Sequence, residues 1–317
     1  MTRVLVTGGS GFLGSRVTEA LAAHPGVEVV VAADVRAPGA ASAGVVFEPC
    51  DVTDPGALEP VLSRHRIEVV VHLAAIVNPG GNPGLEYRVD VEGSANVIAA
   101  CTASGVRRLI VSSSGAAYGY HPDNPAWLQE GDALRGNDEF PYSRHKRLVE
   151  EMLAEHRRSH PELEQVVFRI GTILGPTVRN QITRLWDGPR ILAIRGSDSP
   201  FVFVWVDDVA GAMVRAATDG PQGIYNVAGD GSLTVHEIAA RLGKRTFTVP
   251  AGLLAAALRI GRRLGLTPHG PDQVGFLRYR PVLCNRALTE TFGYTPAKTS
   301  SEAFDAYVEA HPGLSRR

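Results

Sequence analysis

Tyr142 and Lys146 are the residues whose types and spacing point most directly to chemistry. They stand four residues apart in a stretch typical of a helix, so their side chains face the same side. A lysine ammonium about 4 Å from a phenol stabilises the phenolate by about 4 kcal/mol at an effective dielectric of about 20. Such a phenol can serve as a general base near neutral pH. The pair therefore predicts proton transfer, although similar pairs occur by chance on many helices.

A glycine-rich segment at residues 7–14 follows a short apolar run and opens an amphipathic stretch. Its glycines Gly8, Gly11 and Gly14 have the spacing GxxGxxG. In dinucleotide-binding proteins the first allows a tight turn, the second lets the backbone approach a pyrophosphate, and the third allows close packing of helix on strand. The N–H groups at the helix N-terminus then face the phosphate charge. The segment predicts dinucleotide binding.

Two aspartates follow predicted strands at the same end of the sheet. Asp34 closes the second strand, where a carboxylate accepts hydrogen bonds from ribose hydroxyls and repels a 2′-phosphate. This position favours NAD over NADP, although Arg36 could stack on adenine or reach a phosphate. Asp51 follows the third strand and either binds the adenine amine or caps a helix. Both readings of Asp51 stay open.

The elements that must position these residues alternate along the first half of the chain. Strands are predicted at residues 3–7, 27–33, 45–48, 68–73, 107–112 and 165–170, and helices at 12–23, 54–65 (with Asp54 as N-cap), 85–103 and 142–160. Near-continuous apolar strands alternating with helices predict a doubly wound parallel α/β sheet, the Rossmann arrangement. Ligands of such sheets bind beyond the carboxyl ends of the strands, where Ser112, Ser113 and Ser114 close the fifth strand.

The pattern changes after residue 174. Residues 1–174 are predicted to form a dinucleotide-binding domain, to which part of 201–230 returns, and residues 175–317 to form mainly a smaller C-terminal α/β lobe that binds substrate. Glycine, proline and arginine are frequent at residues 175–200. From residue 250 onward the pattern predicts mostly helices, interrupted at 268–281.

Composition limits the partners. The chain has 317 residues, 32 basic and 33 acidic, for a net charge of −1, so no general attraction to nucleic acid or to a membrane is expected. Cys50, Cys101 and Cys284 are too few and too widely spaced for a disulfide framework or a zinc site, and no metal is predicted. With no signal peptide and no apolar run near the ~20 residues that span a bilayer, the expected location is the cytoplasm.

In this order, the motifs resemble the extended short-chain dehydrogenase/reductases of the NAD-dependent epimerase/dehydratase family. The resemblance rests on TGGSGFLG at residues 7–14, Asp34, the Asp-Val pair at 51–52, HLAA at 72–75, SSSGAAYG at 112–119 and YSRHK at 142–146, and it continues through 169–176 and VDDVA at 206–210. It covers about three quarters of the chain. The motifs are specific for the family and not for a substrate.

The resemblance implies a role for each matching residue. Tyr142 would be the acid/base, Lys146 would bind the nicotinamide ribose, and Ser114, four residues before Tyr118, would hold the substrate hydroxyl. The implied cofactor-binding residues are Gly8, Gly11, Phe12, Leu13, Gly14, Asp34, Arg36, Asp51, Val52, Leu73, Ala74, Ala75 and Lys146. His72 is expected to be structural, and His145 to be solvated or to pack. The family also implies a homodimer through the helices at 85–103 and 142–160.

The C-terminal lobe departs from the nucleotide-sugar epimerases of the family. Trp205 stands where they usually have a histidine, Gly171 or Thr172 where they have an asparagine, and their arginine before the VDDVA segment is absent. Candidate substrate contacts are Ser114, Tyr118, Thr172 and Arg280, the last selected from the arginines at 179, 184, 190, 195, 278 and 280.

Three functions remain open from the sequence. The first is a nucleotide-sugar epimerase that oxidises its substrate transiently with tightly bound NAD. The second is an NAD(P)-dependent dehydrogenase or ketoreductase for a small or apolar alcohol, whose pocket Phe201, Phe203 and Trp205 would line. The third is a non-catalytic NAD-binding protein, which the intact set of Ser114, Tyr142 and Lys146 disfavours. A dehydratase is disfavoured because Gly-Ala at residues 115–116 replaces the usual Asp-Glu pair.

Overall fold

Seven parallel strands form the central sheet of the computed structural model, which describes residues 1–40, 42–77, 81–267 and 270–314. The strands are β1 (Thr2–Thr7), β2 (Val27–Asp34), β3 (Val45–Pro49), β4 (Val69–His72), β5 (Arg108–Ser114), β6 (Glu164–Ile170) and β10 (Gly223–Val227). Their order across the sheet is β3-β2-β1-β4-β5-β6-β10. The order reverses direction between β1 and β4, which is the place where doubly wound sheets bind ligands.

Helices cover both faces of this sheet. One face carries α1 (Phe12–Ala22) and α6 (Val206–Thr218), and the other carries α2 (Leu58–His65), α4 (Gly93–Ala103) and α5 (Pro141–Ser159). The buried parts of strands β1 and β4 consist mostly of valine and leucine. Helices cover both faces of the sheet, so side chains on either face of these strands are buried. The predicted fold class, a doubly wound parallel sheet with a smaller C-terminal lobe, is confirmed.

The C-terminal half contributes two small parallel sheets and further helices. Strand β7 (Thr172–Leu174) pairs with β9 (Phe203–Trp205), and β8 (Arg190–Ile194) pairs with β11 (Arg245–Val249). The remaining helices are α7 (Val235–Arg241), α8 (Ala251–Arg263), α9 (Gln273–Arg278), α10 (Arg286–Glu290) and α11 (Ser300–Ala310). Trp186 lies at the centre of their apolar cluster, with edge-on contacts to four aromatic rings. Strands β7, β8 and β11 were not predicted.

Three predicted elements differ from the observed ones. Helix α2 begins at Leu58, because the carboxylate of Asp54 accepts from the Gly56 N–H (3.0 Å) and closes a turn before the helix. The helix predicted at 85–103 begins earlier, with α3 (Pro83–Tyr87), and passes through a π-helical turn (Arg88–Glu92) before α4. The predicted interruption at 268–281 contains α9, while residues 268 and 269 lie outside the described residues.

Within the described ranges, no helix has the length and apolar character needed to cross a membrane. The same ranges contain no cluster of three or more histidine, cysteine, aspartate or glutamate side chains arranged to hold a metal ion. Cys50 and Cys101 are buried free thiols, and Cys284 is half-buried and also free.

Candidate active site

A cavity of about 900 Å³ opens beyond the carboxyl ends of the central strands and extends toward the C-terminal lobe. All thirteen predicted cofactor-binding residues line it, as do the predicted catalytic residues Ser114, Tyr142 and Lys146. Of the predicted substrate contacts, Ser114, Thr172 and Arg280 line the cavity and Tyr118 does not. Residues far apart in the sequence are therefore brought to one site.

The glycine-rich turn joins β1 to α1 at one end of the cavity. Gly8 has φ +69°, a left-handed conformation that favours glycine. A methyl group at Gly14 would lie 2.1 Å from the Gly8 carbonyl oxygen, so only glycine lets the helix pack this closely. Gly11 is the N-cap of α1 and supplies no side-chain cap, which leaves the first helical N–H groups free for an anion.

Polar groups beside this turn fit the adenosine half of a dinucleotide. The Asp34 carboxylate stands at the end of β2, where it accepts from the N–H groups of Ser10 (3.1 Å) and Arg36 (3.2 Å). The hydroxyl of Ser10 is buried without a hydrogen-bond partner in the described structure, as expected for a group that faces a ligand. Asp51 accepts from the N–H and hydroxyl of Thr53, so it closes a turn and does not cap α2.

Tyr142 and Lys146 face the cavity from the first turns of α5. The Lys146 ammonium donates to the Ser112 carbonyl (2.8 Å) and lies 5.7 Å from the centre of the Tyr142 ring. The Ser114 hydroxyl, which accepts from the Ala116 N–H (3.2 Å), lies at the carboxyl end of the neighbouring β5. This arrangement places an ammonium, a phenol and a hydroxyl on one wall, where they can hold a substrate hydroxyl and move its proton.

The environment of His145 differs from the expectation that it is solvated or packs, and it brings in Asp90, a residue that sequence reasoning missed. It is neither solvated nor a simple packing residue, because its ring is buried, lines the cavity and lies 2.9 Å from the Asp90 carboxylate. The other oxygen of Asp90 accepts from the Ile76 N–H (2.8 Å) in the segment that follows β4. Asp90 lies in the π-helical turn, a feature that often marks functional sites and could have drawn attention to it only in the structure.

His72 is buried inside a polar chain behind the cavity. Its ring accepts from the Thr7 hydroxyl (2.7 Å) at Nδ1 and donates to the Ser94 hydroxyl (2.9 Å) at Nε2, because that hydroxyl itself donates to the Asp90 carbonyl. Burial, reinforced by the nearby Lys146 charge, lowers the pKa of His72 to about 3. The ring is therefore neutral at physiological pH.

Tyr118 is a structural residue, contrary to the prediction that it contacts substrate. It is fully buried, and its single hydroxyl proton lies between two acceptors, the Gln129 carbonyl and the Asn226 side-chain oxygen (both 2.9 Å), while the hydroxyl oxygen accepts from Arg169 (2.8 Å). Burial raises the pKa of Tyr118 to about 12. The 3₁₀ turn after β5 (Gly115–Tyr118) directs the ring into the core, away from Ser114.

The opposite wall of the cavity comes from the C-terminal lobe and contains Arg280. Its guanidinium donates to the carbonyl and hydroxyl of Ser199 (2.7 and 2.8 Å) and stacks 3.7 Å above the centre of the Phe201 ring. Among the described residues no carboxylate pairs with it, and its Nε is buried without a partner. Burial lowers the pKa of Arg280 to about 9. An anion in the cavity would supply the missing partner.

The apolar side chains predicted around the substrate divide between cavity and core. Phe201 lines the cavity, whereas Phe203 is fully buried in the cluster around Trp186. Trp205 packs on the same cluster and its indole N–H donates to Asp207. Of the six arginines considered, only Arg179 and Arg280 line the cavity.

The fold and this site define an enzyme of the dinucleotide-dependent short-chain type. The model of the NAD dependent epimerase/dehydratase family matches residues 4–228, and the chain therefore belongs to that family. Membership confirms two predictions, an enzyme of the short-chain dehydrogenase/reductase type and NAD as its cofactor.

Individual relatives are similar along much or all of the chain. The uncharacterized protein Rv0501 of Mycobacterium tuberculosis is 28% identical over 312 residues, which are 96% of this chain and 82% of that protein. A UDP-glucose 4-epimerase of rice is 32% identical over 180 residues, 52% of this chain and 43% of the rice enzyme. The crystal structure of Thermus thermophilus UDP-glucose 4-epimerase with NAD has a TM-score of 0.75 at 26% identity and covers 98% of this chain and 99% of its own.

Proposed function

We propose that this enzyme is a nucleotide-sugar epimerase. The observation that carries the proposal is Arg280, a half-buried residue that faces the cavity, whose Nε is buried without a partner and which has no acidic partner among the described residues. A cation largely removed from water and left without a carboxylate is costly until an anion binds beside it, and the diphosphate of a nucleotide-sugar is such an anion. The similarity to the epimerases of rice and Thermus thermophilus supports this choice.

In this proposal Tyr142, Lys146 and Ser114 carry the chemistry. Ser114 holds the hydroxyl of a secondary alcohol carbon, and the Tyr142 phenolate takes its proton. Lys146 stabilises that phenolate and binds the ribose on the nicotinamide side. NAD bound at the glycine-rich turn would supply the acceptor, and later the donor, of a hydride at that carbon. The ketone turns in the cavity between the two transfers, so that the hydride would reach its opposite face, and Tyr142 gives the proton back to the ketone oxygen.

The same proposal assigns each part of NAD to residues that line the cavity. The N–H groups at the start of α1 bind the pyrophosphate, and Asp34 binds the adenosine ribose. Leu73, Ala74 and Ala75 form the wall beside the nicotinamide and its ribose. Thr172, which lines the same cavity as Arg280, is assigned to the substrate side. The two-lobe division after residue 174, the homodimer through α4 and α5, and the cytoplasmic location remain predictions.

Incubation of the purified protein with UDP-glucose, UDP-glucuronic acid and dTDP-glucose tests the proposal. We expect NMR to detect an epimer of at least one sugar without net accumulation of reduced NAD. Tyr142→Phe should lower kcat by at least about 100-fold. Tyr279→Phe is the matched control, because Tyr279 does not line the cavity. Failure of the protein to epimerise any nucleotide-sugar would contradict the proposal.

The contribution of Arg280 has its own measurement. Arg280→Gln removes the charge that would meet the diphosphate, and we expect KM for the sugar nucleotide to rise about 10- to 100-fold. Arg278→Gln is its control, since Arg278 does not line the cavity. An unchanged KM in Arg280→Gln would argue against a diphosphate at this wall.

A dehydrogenase or ketoreductase for an apolar alcohol is the second candidate, favoured by an aromatic wall. Tyr120 lies edge-on to Phe140 and Phe276, with ring centres 5.2 and 5.3 Å away, and all three line the cavity. Such a wall suits a ring or an alkyl chain better than a hydroxylated sugar. This candidate predicts stoichiometric reduction of free NAD by an apolar alcohol, with no dependence on Arg280.

A further inference from the structure

Helix α8 carries a row of apolar side chains that are exposed to solvent. No residue of this helix is buried. Leu253 and Ile260 are 63% and 60% exposed, and Leu264, just beyond the helix end, is 65% exposed. At about 100° per residue these three side chains project within about 40° of one another. They form a continuous ridge, here called the α8 stripe. Leu266, in the turn after the helix, is also exposed (78%).

Positive charge flanks the α8 stripe. Residues 251–267 contain no aspartate or glutamate, whereas Arg259, Arg262 and Arg263 are all exposed. Arg263 and Arg259 project about 80° and about 120° from the centre of the stripe on the same side. Arg262 lies on the far side, 3.7 Å from Asp272. Because the whole chain has a net charge of −1, this segment is a local concentration of positive charge.

We propose that α8 docks on an anionic phospholipid surface. The helix would lie parallel to the surface, with the α8 stripe among the acyl chains and the guanidinium groups of Arg259 and Arg263 at the lipid phosphates. An apolar face beside a basic face, on a helix too short to span the bilayer, is the pattern of helices that lie in the membrane interface. The near-zero net charge of the whole chain does not oppose this contact, because the attraction acts within about 10 Å of the surface.

Charge also decides against a second copy of this chain as the occupant of this surface. A symmetric contact between two copies through the α8 stripe would bring the arginines of both helices together without an acidic partner on α8. Docking on lipid instead pairs each guanidinium with a phosphate. It would also bring the cavity close to the membrane, because α8 packs against α9, whose Gln273 and Phe276 line the cavity. The proposal does not rest on the identity of the substrate.

Sedimentation with vesicles tests the proposal on the intact protein. We expect it to co-sediment with vesicles of phosphatidylcholine and phosphatidylglycerol in equal parts, and not with phosphatidylcholine alone, at low salt. Arg259→Gln/Arg263→Gln should lower the partition coefficient about 30-fold. Leu253→Ser/Ile260→Ser should lower it at least about 10-fold, and thermal melting should show that both variants remain folded.

Matched variants elsewhere on the surface identify the site. Arg158→Gln/Arg184→Gln removes two other exposed arginines, and Val46→Ser/Trp127→Ser removes two other exposed apolar side chains. Neither should change vesicle binding. The proposal is wrong if the wild type stays in the supernatant with anionic vesicles, or if the α8 and control variants bind equally. It is also wrong if the α8 variants abolish only a dimer.

Discussion

At the scale of single residues, His72 couples stability to pH. Its ring is 5% exposed and lies between two hydroxyls, and burial lowers its pKa to about 3. In the unfolded chain the same ring has a pKa of about 6.5. Between these two values the unfolded state binds more protons, so stability falls as the pH falls below about 6.5, by about 1.4 kcal/mol per pH unit. Above pH 6.5 this residue adds no pH dependence.

The change His72→Gln removes that slope. Between pH 7 and pH 5 the wild type should lose about 2 kcal/mol more unfolding free energy than the variant. The reason is that only the wild type has a ring here that binds a proton in the unfolded chain and must lose it on folding. Urea denaturation at both pH values measures the difference, and the shared contributions of other groups cancel. His236→Gln, at an exposed histidine, is the control. Equal acid sensitivity of wild type and His72→Gln would contradict the assignment.

At the scale of elements, one buried ion pair fastens the catalytic helix α5 to the sheet. Glu150 on α5 and Arg169 on β6 pair at 2.7 Å with side chains only 3% and 4% exposed. Ser113 on β5 donates to the same carboxylate. Burial tends to lower the pKa of Arg169, but the Glu150 carboxylate raises it above its ordinary value. The pair therefore holds three elements in register behind Tyr142 and Lys146.

Breaking this pair should be far more costly than breaking an exposed one. Arg169→Met leaves the Glu150 carboxylate buried without its partner and should lower the unfolding free energy by about 3–5 kcal/mol. Arg158→Met disrupts the exposed pair with Glu155 on the same helix and should cost no more than about 1 kcal/mol. Urea denaturation distinguishes them. Similar losses in both variants would show that the buried pair does not fasten α5.

At the scale of the whole molecule, cofactor binding should stabilise the entire fold through the glycine-rich turn. NAD at about 100 times its Kd adds about 2.7 kcal/mol to the unfolding free energy. Gly11 and Gly14 separate binding from folding. A methyl group at Gly11 would have only the Gly8 oxygen near it, at 3.2 Å, whereas one at Gly14 would meet the same atom at 2.1 Å.

Thermal melts with and without NAD test this separation. Gly11→Ala should leave the Tm of the free protein within a few degrees of the wild type but lose most of the increase that NAD causes, because its methyl group occupies the pyrophosphate side of the turn. Gly14→Ala should lower the Tm of the free protein itself, because α1 must move away from β1. A full NAD response in Gly11→Ala would place the pyrophosphate elsewhere.

The sequence by itself was sufficient for the central sheet, the glycine-rich turn and the Tyr142–Lys146 pair, because apolar periodicity, turn chemistry and helical spacing act over a few residues. The short strands β7, β8 and β11 were missed, since their partners are remote and their own patterns are weak. Only the tertiary structure decided that His145 meets Asp90, 55 residues away, that Tyr118 turns into the core, and that Arg280 faces the cavity. Whether a side chain meets ligand or core depends on which distant element covers it, and local sequence does not encode that contact.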